Sequence, residues 1–299
     1  MRNVVLLIPA AFDYAAPRSL AEALDLLRTK GEGAKVIAGG QSLLPLMKMR
    51  LASPGLLVDI SRISGLSYMW ESDGFLRIGA LTTMSDVESS ELVRKRYPII
   101  HDASKVIADP LVRNLGTVGG NISHGDPAND MPAVMLAVNA ELAATGPSGV
   151  RLVRAQDFFL DSFTVALRQD EILTEIRVPE PPPRSGGSYL KLEQKVADFA
   201  TAAVAVQLTL NSRDECTNAG IGLTAVGLTA LKPRAAEDAL MGRKPTDRDA
   251  VEEAASLAAA ASEPSPDMRG TVEYKRKVVK FLVKNGIRRS YERSRSRGP

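Results

Sequence analysis

Apolar positions along the chain switch between helical and strand spacing. Leu20, Leu24 and Leu27 share one face of the segment Pro17 to Gly31, Ser19 and Glu22 supply a capping box, and Gly31 stops it, which predicts an amphipathic helix. A strand over Lys35 to Ala38 runs into Gly39-Gly40, and short β-type runs follow at Leu56 to Ile60 and Phe75 to Leu81. Met84 to Arg96 and Ile99 to Ala108 read as helices parted by Pro98, and Asp109-Pro110 ends the second before a glycine-rich stretch, Gly116 to Gly125. Pro132 to Val138 has the composition of a short buried helix. Glu141 to Thr145 and Val150 to Arg154 flank Gly146-Pro147-Ser148-Gly149, the make-up of a hairpin turn, and Glu171 to Val178 gives one more strand.

A first domain over residues 1–178 is therefore expected, followed by a linker over 179–187, whose prolines and then glycines suit neither a helix nor a central strand. Beyond it, Thr201 to Leu210 and Ala219 to Leu228 are β-compatible around a polar turn, Asn211 to Glu215. Helices are expected near Ala235 to Met241, Asp247 to Ala261 and Val272 to Arg289. The second domain then spans 188–290, a sheet covered by helices, and the whole chain reads as α+β. No internal repeat is evident.

Composition narrows the function. At 299 residues with 44% hydrophobic content the chain can bury a core in each of two domains. It has no apolar run of eighteen residues and no cleavage signal behind the short Met1 to Pro9 opening, so a cytoplasmic location is expected, with the inner face of the membrane as a peripheral alternative. One cysteine, Cys216, with His101 and His124, cannot build a Cys/His zinc site or ligate an iron-sulfur cluster alone. The net charge of +3 conceals ten Lys/Arg against Glu292 from Lys275 onward, over a body that is net acidic. A basic end can serve nucleic acid. Here the Arg/Ser sequence has nothing to bury, so residues 291–299 are expected to be a disordered tail and no nucleic-acid partner is expected.

Two glycine-centred segments carry candidate chemistry: Ala38-Gly39-Gly40-Gln41-Ser42-Leu43 and Thr117-Val118-Gly119-Gly120-Asn121, with Ser123 just beyond. Each offers consecutive N–H groups with little side chain in the way, the makings of an anion-binding concavity. Together they suit the diphosphate of a dinucleotide, with Ser42, Thr117, Asn121 and Ser123 adding side-chain hydrogen bonds. Either segment alone reads first as an ordinary tight turn. No G-x-G-x-x-G follows a strand and no Walker loop exists, which disfavours the Rossmann and P-loop folds.

At these residues the chain resembles a known family. Ala38 to Pro45, Arg77-Ile78-Gly79-Ala80-Leu81-Thr82, Thr117 to Asn121 and Asp126-Pro127-Ala128-Asn129-Asp130-Met131-Pro132 are similar, in order and spacing, to the motifs of the medium flavoprotein subunit of carbon monoxide dehydrogenase, related to the FAD domain of xanthine dehydrogenase. The likeness continues through Glu171-Ile172-Leu173, Tyr189-Leu190-Lys191 and Asp198-Phe199-Ala200. It departs at Gln41, where several relatives have histidine or a smaller polar residue, and at Glu193-Gln194-Lys195.

The resemblance implies an FAD-binding domain of the PCMH, or vanillyl-alcohol-oxidase-like, type with two subdomains clasping an extended, non-covalent FAD, and then a smaller α/β C-terminal domain. It implies that the backbone of Ala38 to Leu43 and of Thr117 to Asn121 holds the diphosphate, that Ser123 and Asp130 contact polar groups of FAD, and that Leu173 and Lys191 lie near the flavin. Asp130 reads alternatively as an acid at a helix start, Lys191 as an exposed strand lysine, and His124 as a solvated loop residue.

With no nucleophile and base apparent, the resemblance assigns substrate oxidation to a molybdenum cofactor on a large subunit. Two 2Fe-2S clusters on a small subunit would feed FAD, the units pairing as a dimer of heterotrimers, and quinone, NAD or oxygen would be the terminal acceptor. A free-standing flavin oxidase, a hydroxylase for aldehydes, purines or N-heterocycles, and a non-redox nucleotide scaffold remain open.

Overall fold

The computed structural model describes residues 8–296. The opening residues 1–7 and residues 297–299 of the expected tail lie outside them.

The first layer is a small parallel sheet. Strand β1 (Asp13–Ala15), helix α1 (Leu20–Lys30), β2 (Ala34–Ile37), α2 (Leu43–Lys48) and β3 (Leu56–Asp59) follow in sequence, and β3 sits between β1 and β2. The Ser19 hydroxyl accepts from the Glu22 N–H, and the Glu22 carboxylate reaches back to the N–H of Arg18 rather than Ser19, so the capping box is displaced by one residue. Ala23 and Leu27 are the positions of α1 that are fully buried, against Val58 and Ile60.

The second layer is a five-stranded antiparallel sheet: β4 (Met69–Ser72), β5 (Phe75–Gly79), β6 (Glu141–Gly146), β7 (Gly149–Arg154) and β10 (Ile172–Pro179), in the order β4-β5-β10-β6-β7. Between β5 and β6 lie six short helices: α3 (Met84–Ser89), α4 (Glu91–Arg96), α5 (Pro98–Lys105), α6 (Pro110–Leu115), α7 (Val118–His124) and α8 (Asp130–Ala137). A two-stranded ribbon, β8 (Phe159–Asp161) and β9 (Thr164–Val165), precedes β10. Three expectations change here. The helix expected over Met84 to Arg96 breaks at Ser90, whose hydroxyl caps α4 through the Val93 N–H. Asp109 starts a further helix, α6, by accepting from the Val112 N–H. The stretch Gly116 to Gly125 is mostly helix α7, capped by Thr117, with Gly125 left-handed at its end.

The third layer is the antiparallel sheet β11 (Ser185–Glu193), β12 (Ala200–Leu210) and β13 (Cys216–Thr224), followed by α9 (Arg234–Asp238), α10 (Arg248–Ala261) and α11 (Val272–Ser296). Period-2 alternation in β12 gives it two cores. Ala203 and Ala205 join the core under the six helices, while Ala202, Val204, Val206 and Leu208 pack beneath α10 and α11. Backbone-on-backbone contact fastens the layers: a Cβ on Gly222 would lie 1.9 Å from the Ala133 carbonyl oxygen of α8.

The linker expected over 179–187 shrinks to 180–184, because β11 already begins at Ser185. Ser185, Gly186 and Gly187 form strand since α11 lies directly on it, with a Cβ at Gly186 falling 2.1 Å from the Ser290 carbonyl oxygen. For the same reason the tail expected to be disordered over 291–299 is helical to Ser296. Ser290 and Ser294 are fully buried, Ser290 bonds the Ser188 hydroxyl and the Val206 carbonyl, and Arg293 bonds Asp102 and the Gly187 carbonyl.

Candidate functional site

The first glycine segment is the turn between β2 and α2. Gly40 takes φ 71°, a left-handed conformation that a side chain would strain. The N–H groups of Gly39, Gly40, Gln41 and Ser42 have no acceptor among the described residues, and Ser42 makes no side-chain cap to α2. The Gln41 amide folds back to donate to the Gly39 carbonyl at 3.2 Å. Four successive unsatisfied donors on a half-buried turn are what an anion cradle requires.

The second segment behaves differently from expectation. The N–H groups of Val118 and Gly119 donate to the carbonyls of Thr82 and Ala80, each at 2.9 Å, Gly120 donates to the Thr117 hydroxyl at 3.1 Å, and Asn121 to the Thr117 carbonyl at 3.0 Å. Tertiary bonds and capping thus use the donors of Val118 to Asn121, leaving within the expected Thr117 to Asn121 run only the Thr117 N–H without an acceptor among the described residues, while the Thr117 side chain acts as a cap. What this segment presents instead is the bare, exposed Gly120 and the Asn121 side chain, whose Oδ1 is buried without a hydrogen-bond partner. Gly119 is required by packing, since a Cβ would stand 2.5 Å from that of Ala80. Ser123 is half-buried on the same short helix.

The two segments meet. A Cβ on Gly39 would lie 1.9 Å from the Leu115 carbonyl oxygen, and one on Gly116 would lie 3.8 Å from Cγ of Gln41. The first turn therefore closes directly onto the entry to α7.

Asn129 continues the site by donating its amide to the Asn121 carbonyl at 2.8 Å, and Asp130 follows as the first residue of α8. Asp130 starts a helix, as its alternative reading has it, and it also lies in a buried polar cluster with side chains of β11. The Tyr189 hydroxyl donates to Asp130 Oδ1 at 2.6 Å, and the Lys191 ammonium donates to Oδ2 at 3.2 Å and to the Val106 carbonyl at 2.9 Å. Glu193 Oε2 stands 3.5 Å from the same ammonium, a charge contact too long for a good hydrogen bond, and is otherwise unpartnered and buried. Burial pushes the Asp130 carboxyl up to about 6, against the opposing pull of Lys191 and Tyr189, and burial together with the Asp130 charge raises the Tyr189 phenol far above its usual value.

Lys191, at 3% side-chain exposure, is not the exposed strand lysine of the alternative reading, and its charge is balanced by Asp130 and Glu193. Leu173 is buried in the core on β10, opposite Ala144, beside a bulge whose Thr174 carbonyl accepts the Ala80 N–H. Its side chain is not part of the polar cluster. Tyr189, Glu193 and Asn129 were not singled out from the sequence as site residues. The signal for two of them was present: 189, 191 and 193 alternate along one strand and so share a face. His124 lies 3.9 Å from Asp126 and tilts against Phe163, and burial lowers its pKa, so it is neutral at pH 7.

Comparison with known proteins identifies the family of the chain. The family described as "FAD binding domain in molybdopterin dehydrogenase" matches residues 10–181, and the "CO dehydrogenase flavoprotein C-terminal domain" matches residues 187–290. The chain is 42% identical over 290 residues to the carbon monoxide dehydrogenase medium chain of Afipia carboxidovorans, covering 97% of this chain and 100% of that one. It is 37% identical to the glyceraldehyde dehydrogenase medium chain of Sulfolobus acidocaldarius, over 92% of this chain and 96% of that one. The crystal structure of carbon monoxide dehydrogenase from Hydrogenophaga pseudoflava superposes with a TM-score of 0.93 at 44% identity, covering 96% of this chain and 99% of that chain.

Proposed function

The chain belongs to the family of FAD-binding medium subunits of molybdenum hydroxylases, and we propose that the complex it serves oxidises carbon monoxide. It is an oxidoreductase flavoprotein subunit, and its own residues fit FAD. The free N–H groups of Gly39 to Ser42 suit the diphosphate, bare Gly120 admits close approach, and the orphaned Asn121 Oδ1 can accept from a ligand hydroxyl or amide. Bound FAD supplies a redox centre able to exchange electrons singly or in pairs.

In this reading the protein contributes position. The Lys191 ammonium is fixed by the Val106 carbonyl and by Asp130, which Tyr189 orients, so that with its charge balanced by Asp130 and Glu193 it serves as an immobile, oriented N–H donor. The apolar core around Leu173 and Val118 keeps water from that side of the site. Molybdenum and the 2Fe-2S clusters would reside on large and small partner subunits in a dimer of heterotrimers, electrons entering from the small subunit and leaving to a quinone, NAD or oxygen. Among the described residues no helix is long and apolar enough to cross a membrane.

The observation that carries the carbon monoxide assignment is the near end-to-end match at 42% identity. The glyceraldehyde dehydrogenase likeness at 37% identity supports an aldehyde as a second reading, and an equal likeness to a nicotine 6-hydroxylase medium subunit, 38% identical, supports an N-heterocycle. Anaerobic addition of carbon monoxide to the co-expressed complex is expected to bleach the flavin absorbance, while the isolated chain stays oxidised. Bleaching by aldehyde alone would replace the substrate assignment, and a complex that never reduces the flavin would overturn the electron-transfer role.

A further inference from the structure

A polar cavity of about 460 Å³ opens between α4, α5 and the last turns of α11. Five cations line it: Arg94 and Lys95 from α4, Lys105 from α5, and Arg289 and Arg293 from α11. Among the described residues the only carboxylate in the lining is Asp102, which is committed. It accepts from both terminal nitrogens of Arg293 at 2.6 and 3.0 Å, from Arg289 at 3.4 Å and from the Tyr189 N–H at 3.3 Å. Glu91, outside the cavity, holds Arg94 and Lys95. One carboxylate cannot neutralise the two α11 guanidiniums, and the Lys105 ammonium and the His101 ring make no hydrogen bond or ion pair among the described residues. Burial and the neighbouring Lys105 charge lower the His101 pKa, so the ring is neutral at pH 7 with an N–H to give.

An excess of hydrogen-bond donors and positive charge in a concavity of ligand-pocket size calls for a compact, multiply charged acceptor. Guanidinium forks match phosphate oxygens in pairs, and ammonium and imidazole N–H groups can complete the shell. We propose that this cavity binds a phosphate-bearing small molecule with at least two negative charges, at a site separate from the flavin turn at 38–43.

Inorganic pyrophosphate is the probe. Titrated calorimetrically into the full, FAD-saturated chain at constant ionic strength, it is expected to bind saturably at one site without releasing flavin. Lys105→Ala and Arg289→Ala should each weaken that binding tenfold or more while leaving flavin content unchanged. Since Lys105 makes no contact that the fold needs, its variant should also keep the wild-type melting temperature, which separates lost binding from lost structure. Unsaturable heat, or affinity unchanged in both variants, would overturn the proposal. Flavin displaced in proportion to bound pyrophosphate would also overturn it, by placing the anion in the FAD turn.

Discussion

Replacing Gly39 by alanine isolates the contact that closes the candidate FAD turn. The new Cβ would lie 1.9 Å from the Leu115 carbonyl oxygen, 2.7 Å from its carbon and 3.1 Å from Cα of Gly116, all backbone atoms that no rotamer change can move. Leu115 and Gly116 are themselves pinned, since Gly116 donates to the Val112 carbonyl at 2.6 Å and accepts from the Met84 N–H at 2.9 Å. The turn must therefore retreat, by about 1.5 Å, to bring the oxygen contact to an ordinary separation. Overpacking of this kind costs about 1–3 kcal/mol. If withdrawal of the turn takes up that cost, FAD affinity falls roughly 5- to 150-fold. Fluorescence titration of FAD onto the stripped protein measures it, with flavin content after gel filtration as a second readout. Gly33→Ala is the control, because its Cβ would meet nothing within 4 Å. Wild-type FAD affinity in Gly39→Ala, with a normal melting curve, would refute the placement of the diphosphate at this turn.

Two further outcomes follow from the buried polar groups and from α11. Asp130 titrates at about 6 in the fold against its ordinary 3.8, so the stability it contributes is fully present below about pH 4 and is lost as pH rises through about 6, on the order of 3 kcal/mol at most. Asp130→Asn should flatten that part of the stability profile, although leaving Lys191 unpaired lowers stability overall; parallel melting profiles at pH 4.5 to 7 would show that Asp130 is not the titrating group. Truncation after Arg289 removes Ser290, Arg293 and Ser294 from the β11 face and leaves Asp102 without its bidentate partner, so a melting temperature several degrees lower is expected. An unchanged melting curve would mean that this end of the helix contributes nothing to the fold.

Local signals in the sequence were sufficient wherever the cause of structure is local. Ser19, Leu20, Leu24, Leu27 and Gly31 specify α1 through capping and one apolar face, and the Gly-Pro-Ser-Gly turn between β6 and β7 needs only its own residues. The free N–H groups of the turn at 39–42 were legible for the same reason: a glycine pair between a strand and a helix has no neighbour along the chain to satisfy them. Motif order and spacing also marked the family.

Tertiary structure alone decided what those residues do. Thr117 to Asn121 looked like a second phosphate cradle, but Thr82 and Ala80 come in from another element to take the Val118 and Gly119 donors, and the Thr117 hydroxyl and carbonyl take those of Gly120 and Asn121. Lys191 and Asp130, 61 residues apart, become an ion pair because α8 packs on the sheet to which β11 belongs. Ser185 to Gly187 and the end of α11 read as linker and loose tail because glycine, serine and arginine carry little hydrophobic signal. Their order comes from backbone proximity and buried hydrogen bonds between segments about a hundred residues apart, which no periodicity records.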